Sequence, residues 1–383
     1  MIRNDRLDAL VAGLPDHEAE LVSTASSLAA TLNAEHADTL RRLPEETVAG
    51  LRKAGLFRLA TPRTLEGTQA GSRAVTAIAA EVARGCSSAA WVLTVYYSGG
   101  LALGLFPEAV QRRVWEADPD ATVCGSSGTG APARPVDGGY LISGRWGWAS
   151  GAHHADWIVL DIVRAAPSDA IGSPASPTAR VAPAAGSPAD RGLALVPMRD
   201  LPIEDTWHMA GMRGTGSDTV IADDVFVPHD QVLFLSTPGL PRPQGLDSTL
   251  AGPLLGMGMA VYDHVLPLLR ERAATVPALR YAIADAALLI DNAVLQASRS
   301  ARLVDSGTRL TPLQEVRVRM DGALAARQIR RSAESLLDVA GAARFADASP
   351  AQRIWRDLNT AMRHPVFVLE LIRDRYAHLL LAD

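Results

Sequence analysis

The last third of the chain is an almost unbroken series of helical hydrophobic patterns, and this restricts the fold more than any other feature. Apolar residues recur at helical spacing over residues 250–270, 277–305, 311–340, 350–363 and 366–381. Long helices joined by short connections pack side by side. Gly252, Gly256, Gly258 and Ala260 thin one face of the first segment, which suits close helix packing. We therefore predict an antiparallel helical bundle over residues 245–383.

The first 117 residues show the same period and predict a separate all-helical domain. Pro44 opens one helix, with acidic residues in its first turn, and Gly55 follows its basic end as a C-cap. Ser72 is a candidate N-cap for the next helix. Residues 85–107 carry no charge, but their serines and paired glycines favour a buried helix over a membrane span. We expect a soluble protein with no membrane partner.

The sequence between residues 118 and 240 changes to short β-rich runs separated by turn signals. These runs are residues 121–124, 140–143, 157–163, 193–197 and 219–227. Asp137-Gly138-Gly139 is a hairpin-turn sequence between two of them. Residues 165–191 are mostly Ala, Pro, Ser, Gly and Asp, which predicts a disordered insertion. The expected class is α+β, with an N-terminal all-α domain (1–117), a central β-barrel or sandwich domain (118–240) and the C-terminal bundle (245–383).

Composition and motifs argue against several classes of function. The net charge is -5 and no basic block is present, which argues against nucleic acid as a partner. Cys86 and Cys124 are the only cysteines, so a reducing, cytoplasmic location fits better than a disulfide framework. The glycine-rich run at residues 125–130 lacks the context of a dinucleotide fingerprint and predicts a ligand-facing loop or a plain connector. The histidine pair at residues 153–154 has no second ligand cluster, so we expect no metal site.

Two motifs in the β region are candidates for a ligand site. The sequence Gly-Arg-Trp-Gly-Trp-Ala-Ser-Gly at residues 144–151 would place Trp146, Trp148 and Ser150 on one face of an extended strand. Two indoles beside a hydroxyl suit a planar ring ligand, and the alternative is cross-strand aromatic packing. The glycine-rich loop at residues 207–217 precedes the last strand and is ambiguous by itself.

A polar, arginine-rich segment near the C-terminus is a third candidate. A helix there would put Arg356, Asn359 and Arg363 on one face and turn His364 away from them. Pro365 stops such a helix, so His364 would lie at its C-terminus, where an imidazole can face a cavity. The alternative is a solvated turn that complements the helix dipole.

The order of these motifs resembles the acyl-CoA dehydrogenase fold, and more closely the two-component, flavin-dependent monooxygenases that share it. The motifs are the tryptophan-rich run above, Met-Arg-Gly-Thr-Gly-Ser at residues 212–217, Val-Phe-Val-Pro at residues 225–228, and Gln-Arg-Ile-Trp-Arg-Asp at residues 352–357. The resemblance covers essentially the whole chain. It implies that Trp148 walls a flavin ring, that Ser150 approaches flavin N5, and that Ser126 lines the other side.

The resemblance also implies a shared cofactor site between subunits. Gly341 matches the bundle turn that meets the neighbouring subunit's flavin, and a homotetramer is the family arrangement. An arginine after the first bundle helix often holds cofactor phosphate in this family. Arg272 is the candidate for that role here, and Arg270 competes with it.

His364 selects the branch of the family. Arg363-His364-Pro365 lies where straight-chain dehydrogenases have a segment whose glutamate removes the substrate proton. A histidine matches the monooxygenase branch, where it can hydrogen-bond a flavin C4a-hydroperoxide or deprotonate the substrate. The unperturbed pKa of histidine lies near neutrality and suits either role. The catalytic candidates are therefore His364 and Ser150.

One departure from the family bears on the substrate. Aromatic hydroxylases of this branch often have a Gly-Val-His-Pro-like run in the apolar helix, whereas residues 96–100 here read Tyr-Tyr-Ser-Gly-Gly. An aromatic, polycyclic or indole-like carbon, or an amine nitrogen, stays open as the acceptor. Tyr96, Tyr97 and Trp207 are the candidates for the substrate side.

The leading hypothesis is a flavin-dependent monooxygenase that takes reduced FMN or FAD, bound transiently, from a separate flavin reductase. It would use O2, through the hydroperoxide, to oxygenate a small organic molecule. An acyl-CoA dehydrogenase or oxidase-like flavoenzyme is the first alternative. A catalytically silent member of the fold is the second.

Overall fold

The computed structural model describes residues 5–165, 191–237, 240 and 248–382. The insertion predicted at residues 165–191 lies outside the described residues except at its two ends. The helices are α1 (Asp8–Val11), α2 (Asp16–Ala29), α3 (Ala34–Leu40), α4 (Glu45–Lys53), α5 (Ser72–Gly85), α6 (Ser87–Leu103), α7 (Glu108–Trp115), α8 (Ala251–Thr275), α9 (Pro277–Asp305), α10 (Pro312–Ala340), α11 (Pro350–Ala361) and α12 (Leu369–Leu381). All described strands lie between α7 and α8, which confirms the α+β class with helices on both sides of a β region. The exact domain boundaries stay a prediction.

The N-terminal helices begin and end largely where local signals place them. Helix α4 starts after Pro44, and Gly55 follows it with φ +70°, a left-handed conformation that glycine adopts readily. Helix α5 differs from the prediction, because Ser72 is its first residue and not its cap. The carboxylate of Asp305, at the end of α9, accepts the N–H groups of Ser72 and Arg73 at 2.6 and 3.1 Å. A distant residue therefore satisfies this helix end.

The β region is a single mixed sheet. Its strands are β1 (Val123–Val136), β2 (Gly139–Trp146), β3 (Trp157–Arg164), β4 (Arg191–Pro197), β5 (Ile203–Glu204), β6 (Thr219–Pro228) and β7 (Val232–Phe234), in the order β5-β6-β2-β1-β3-β4-β7. Strands β1 and β3 run parallel, and the other neighbours are antiparallel. The predicted turn joins β1 to β2, with Val136 opposite Gly139 and Gly138 at φ +77°.

The glycine-rich run at residues 125–130 belongs to β1, so its prediction as a loop or connector was wrong. The pairing of β1 with β3 shifts register between Ser126 and Ala131, which marks a bulge or irregularity in the ladder. Glycines are common at such points because they tolerate the local change in backbone direction. The glycines at residues 125–130 therefore indicate an irregular strand and do not mark the end of a strand.

The C-terminal bundle packs directly on the N-terminal helices. A Cβ at Gly252 would lie 2.6 Å from the carbonyl oxygen of Thr76, and one at Gly256 would lie 2.1 Å from that of Ala80. The predicted close packing of α8 is therefore confirmed, and its partner at these two glycines is α5. Buried residues of the N-terminal helices, of the sheet and of the C-terminal helices form one contiguous hydrophobic cluster.

Helix α6 lies against the start of the sheet. Most of its side chains are buried, including those of Trp91, Tyr96 and Tyr97. A Cβ at Gly99 would lie 1.9 Å from the carbonyl oxygen of Val123 in β1, so only glycine permits this approach. In the part of the chain that the structure describes, no helix is long and apolar enough to span a membrane.

Candidate active site

The tryptophan-rich run does not continue as a strand. Strand β2 ends at Trp146, which is 1% exposed and whose Nε1 donates to the carbonyl oxygen of Asp161 at 2.8 Å. Trp148 has φ +60° and is 70% exposed. The prediction that Trp146, Trp148 and Ser150 share one face was therefore wrong. A left-handed turn points the first indole into the core and leaves the second on the surface.

The turn at residues 147–151 is held by hydrogen bonds from two other segments of the chain. The Ser126 hydroxyl of β1 donates to the carbonyl oxygen of Gly147 at 2.6 Å. The N–H of Ala149 donates to Asp218 O at 3.1 Å, and that of Gly151 donates to Thr215 O at 2.9 Å. A tryptophan at positive φ is strained and persists only where its surroundings hold it. Ser126 is thus brought to the same turn as Ser150.

The Ser150 hydroxyl is the centre of a buried polar cluster. Its oxygen lies 2.7 Å from the Ser217 hydroxyl and accepts the Nε1–H of Trp91 at 3.3 Å. Ser217 in turn lies 2.6 Å from the hydroxyl of Thr215. All four side chains are at most 7% exposed. Of these four residues, only Ser150 is predicted as a site residue from the sequence.

His364 contacts the same tryptophan through its ring. Helix α11 ends at Ala361, so the predicted helix through residue 363 was too long, and His364 instead caps a short 3-10 turn at Pro365–Phe367. Its ring centroid is 5.6 Å from that of Trp91, with an angle of 70° between the planes. Its Nδ1 accepts the N–H of Val366 at 3.3 Å, which places the proton of the neutral imidazole on Nε2. The two predicted catalytic residues thus both contact the indole of Trp91.

Trp91 could have been suspected from the sequence. It is the one tryptophan in the long uncharged helix, and a buried indole N–H needs an acceptor. The acceptor cannot be predicted from the sequence around Trp91, because Ser150 lies far away along the chain. The contact exists only once α6 packs against the turn after β2.

The loop at residues 207–217 is fastened to α11. The N–H of Met212 donates to Asp357 Oδ1 at 2.6 Å, and Arg356 donates to the carbonyl oxygen of Ala210. A Cβ at Gly211 would lie 2.2 Å from the carbonyl oxygen of Arg356. Burial raises the pKa of Asp357 to about 6, and the Met212 bond opposes that shift. The loop that carries Thr215 and Ser217 is therefore positioned by the bundle.

The histidine pair has structural partners. His153 Nε2 lies 2.7 Å from Asp218 Oδ2, and the other oxygen of Asp218 accepts the N–H groups of Thr206 and Trp207, both at 2.8 Å. His154 Nε2 lies 2.9 Å from the carbonyl oxygen of Leu43. Among the residues that the structure describes, no group of three or more His, Cys, Asp or Glu side chains could hold a metal ion.

Comparison with known proteins agrees with this geometry. The family models of the acyl-CoA dehydrogenase N-terminal and C-terminal domains match residues 15–115 and 248–368. The oxygenase subunit HsaA of a flavin-dependent monooxygenase from Rhodococcus jostii is 31% identical over 86% of this chain and 90% of its own. The oxygenase component of an FADH(2)-dependent resorcinol hydroxylase from Rhizobium sp. is also 31% identical, over 87% of this chain and 86% of its own.

This chain belongs to the flavin-dependent monooxygenases whose oxygenase components share the acyl-CoA dehydrogenase fold. The solved structure of XiaF from Streptomyces sp., in complex with FADH2 and glycerol, has the same fold, with a TM-score of 0.85 and 27% identity over 96% of both chains. The family, the fold and the flavin-dependent class of reaction that the sequence predicted are thereby confirmed. Reduced flavin with O2 is the cofactor chemistry of the homologues.

The placement of a flavin ring beside Trp148 and Ser150 stays a prediction, and the chemistry of these residues is compatible with it. Trp148 presents a largely exposed indole in a conformation that costs backbone energy, which is typical of functional sites. Beside it, the Ser150 oxygen carries two lone pairs, and the Trp91 N–H uses one of them. A planar, polar-edged ring fits a flat apolar wall with one hydroxyl at its edge. Ser126, Trp148 and Ser150 are the described residues that would hold it.

Four other predicted site residues make no hydrogen bond to Ser150 itself within the part of the chain that the structure describes, although Tyr96 reaches the turn at Gly151. Arg272 is exposed in the last turn of α8, and Gly341 is exposed directly after α10 with φ +84°. Tyr96 and Tyr97 are buried, and their hydroxyls donate to the carbonyl oxygens of Gly151 at 2.7 Å and Ala70 at 2.9 Å. Their hydroxyl protons are thus already engaged. The roles predicted for all four stay predictions.

Trp207 is half-buried within the loop that positions Ser217. Its Nε1 donates to the carbonyl oxygen of Met212 at 2.8 Å, and its backbone N–H donates to Asp218 at 2.8 Å. These bonds tie Trp207 to Met212 and Asp218 of the same segment. A substrate contact of Trp207 also stays a prediction.

Proposed function

We propose that this monooxygenase oxygenates an aromatic substrate, with Ser150 holding the edge of the reduced flavin and His364 exchanging a proton beside the substrate. The observation that carries the proposal is the single indole of Trp91, which hydrogen-bonds Ser150 and meets the His364 ring edge-on. The hydroxyl of Ser150 and the imidazole of His364 are thus brought to one rigid ring. That geometry suits one group for the cofactor and one for the substrate.

His364 has the means to act as the proton-transfer group. The N–H of Val366 occupies its Nδ1, so Nε2 carries the mobile proton of the neutral ring. Its edge contacts with Trp91 and Phe367, at centroid distances of 5.6 and 6.5 Å, hold the ring orientation. General acid–base catalysis requires such a held group within reach of the substrate. Reduced flavin, when bound, supplies the electrons that activate O2.

An aromatic acceptor is favoured over an amine. The ring of His364 contacts the rings of Trp91 and Phe367, and such rings offer flat apolar surface to an aromatic substrate. Two relatives that are 31% identical are named for a resorcinol hydroxylase and a flavin-dependent monooxygenase. No side chain fits at Gly99, so α6 cannot supply a histidine at that point. In this proposal His364 alone takes the substrate proton.

The proposed assembly is a homotetramer in which a second copy completes the flavin site. Helix α9 exposes Tyr281, Leu288 and Leu295 by 68, 60 and 58%. They recur at every seventh residue, so they form one apolar stripe on the helix surface. Such a stripe marks a protein contact, and a further copy of the chain is the occupant that the family arrangement favours. Arg272 and Gly341 would serve the neighbouring site, with cofactor phosphate at Arg272.

The test is a reconstituted reaction. The protein is mixed with FMN or FAD that a separate reductase keeps reduced, with O2 and a panel of phenols, indoles, polycyclic aromatics and amines. We expect an oxygenated aromatic product, identified by mass and by incorporation of one atom from ¹⁸O2. Bleaching of bound oxidised flavin by an acyl-CoA would instead support a dehydrogenase. Binding of flavin without turnover of any substrate class would support the silent fold.

A further inference from the structure

The Ser150 hydroxyl ends a row of three hydroxyl groups that begins at a backbone carbonyl. Thr215 Oγ1 lies 2.8 Å from the carbonyl oxygen of Met212, Ser217 Oγ lies 2.6 Å from Thr215 Oγ1, and Ser150 Oγ lies 2.7 Å from Ser217 Oγ. The three hydroxyl-bearing residues are 2, 3 and 7% exposed. Each member is therefore bonded chiefly to its neighbours in the row.

The direction of every bond in this row follows from its first member. A carbonyl oxygen can only accept, so Thr215 must donate its one proton to Met212. Thr215 then has no proton left for Ser217, and Ser217 must donate to Thr215. By the same reasoning, Ser150 donates to Ser217.

Ser150 is thereby left as an acceptor. Its single proton points to Ser217, and one lone pair receives the Trp91 N–H. One lone pair of the Ser150 oxygen remains for a further donor. A ligand N–H or O–H can donate to that lone pair. A ligand atom that only accepts would instead meet the Ser150 oxygen with no proton between them.

We propose that Thr215 and Ser217 are positioning residues that orient the Ser150 hydroxyl as an acceptor and so make the site prefer reduced over oxidised flavin. Flavin N5 carries a hydrogen in the reduced ring and a lone pair in the oxidised ring. The inference rests on the proposed placement of Ser150 at the flavin edge. It adds a reason why the chain would capture reduced flavin from solution and release it once oxidised.

The backbone supports the same arrangement. Thr215 O accepts the N–H of Gly151, and Asp218 O accepts the N–H of Ala149, so the two turns are joined at both ends of the hydroxyl row. Met212, where the row starts, is held by Asp357 through its own N–H. The start of the row is therefore tied to α11 through the backbone of Met212.

The experiment measures dissociation constants for reduced flavin, under anaerobic conditions, and for oxidised flavin. Thr215→Val keeps the shape of the side chain but removes its hydroxyl. Ser217 can then donate to Ser150, and Ser150 can turn its proton outward to an acceptor. We expect the ratio of oxidised to reduced dissociation constants to fall about tenfold, which corresponds to about 1.4 kcal/mol.

Three further variants make the result specific. Ser217→Ala removes the acceptor of the Ser150 proton and is expected to lower the ratio in the same direction. Thr215→Ser restores the hydroxyl and is expected to keep the wild-type ratio. Thr76→Val is the matched control, since Thr76 is a buried threonine whose hydroxyl donates to the carbonyl oxygen of Ser72 in α5.

The outcomes separate this inference from the proposed function. An unchanged ratio in folded Thr215→Val and Ser217→Ala, or an equal loss of affinity for both forms, overturns the positioning role and leaves the monooxygenase proposal intact. A wild-type protein with no preference for reduced flavin has the same consequence. A wild-type protein that binds neither form contradicts both.

Discussion

The indole of Trp91 lies edge-on to the imidazole of His364, with the ring centroids 5.6 Å apart and the planes at 70°. The same indole donates its N–H to Ser150. Edge-to-face contacts between rings contribute about 0.5–1.5 kcal/mol beyond their buried area. One side chain from the N-terminal helices therefore positions a residue of the β region and a residue of the C-terminal bundle.

Trp91→Phe separates the two contacts. The ring that meets His364 is retained, whereas the hydrogen bond to Ser150 is lost. We expect the fraction of oxidised flavin that yields product to fall about two- to tenfold, the range that corresponds to one hydrogen bond, with a matching rise in hydrogen peroxide. Trp115→Phe, at a buried tryptophan in the separate cluster around α7, is the control. If Trp91→Phe and Trp115→Phe gave the same fraction of product per oxidised flavin, the proposed role of the Trp91 N–H would be contradicted.

His364→Ala removes the proposed proton-transfer group. Product formation should fall by about 10²- to 10⁴-fold, the usual contribution of a general acid or base, while reduced flavin still binds. The measurement is a single-turnover assay of product alongside flavin binding. His378→Ala, at an exposed histidine in α12, should behave as wild type. Retention of full turnover in His364→Ala would remove His364 from the mechanism.

Asp357 makes stability depend on pH. Burial raises its pKa from 3.8 to about 6, and the nearby Asp38 adds to that shift. The folded state therefore holds a proton that the unfolded state releases between about pH 4 and 6, so stability falls as pH rises through this window. The expected contribution is on the order of 3 kcal/mol. Asp357→Asn should gain stability relative to wild type over the same window, as measured by urea unfolding.

The matched control for that titration is Asp347→Asn, at an exposed carboxylate. Its free energy of unfolding should follow the wild-type pH profile. A difference between Asp357→Asn and wild type that does not change with pH would contradict the assignment to Asp357.

Close packing of α8 on α5 predicts opposite effects for two helical glycines. Gly256→Ala would place a Cβ 2.1 Å from the carbonyl oxygen of Ala80, so the helices must separate. We expect a loss of about 1–3 kcal/mol. Gly322→Ala, within α10, has open space around its Cβ and should stabilise the chain by about 0.5–1 kcal/mol. Thermal or denaturant unfolding measures the change in the free energy of unfolding for each variant. Similar changes in Gly256→Ala and Gly322→Ala would refute the packing argument.

The apolar stripe on α9 predicts the assembly state. Leu288→Glu combined with Leu295→Glu places two charges on the stripe. If a second copy covers it, the molecular mass in light scattering should drop from that of a tetramer to a smaller species. Leu40→Glu, at an exposed leucine of α3, serves as the control. A tetramer that survives the double substitution would place the interface elsewhere.

Much of the fold was readable from local signals. The predicted segments at residues 277–305 and 311–340 correspond to helices Pro277–Asp305 and Pro312–Ala340, because helical period, Pro at the start and capping residues act within a few residues. The turn at Gly138 was likewise predicted from its own sequence. The predictions that failed were also local ones that a distant contact overrode. Asp305 replaced Ser72 as the cap of α5, and the pairing of β1 with β3 made a strand of the glycine-rich run.

The sequence by itself determined the order of helices and strands, the family, and the candidates Ser150 and His364, because periodicity and motif order are properties of short stretches. Only the tertiary structure decided which side chains meet. The indole of Trp91 and the hydroxyls of Thr215 and Ser217 reach Ser150 through packing between segments far apart in the chain. Hydrogen-bond direction in such a buried row depends on every member at once, and no local pattern contains that information.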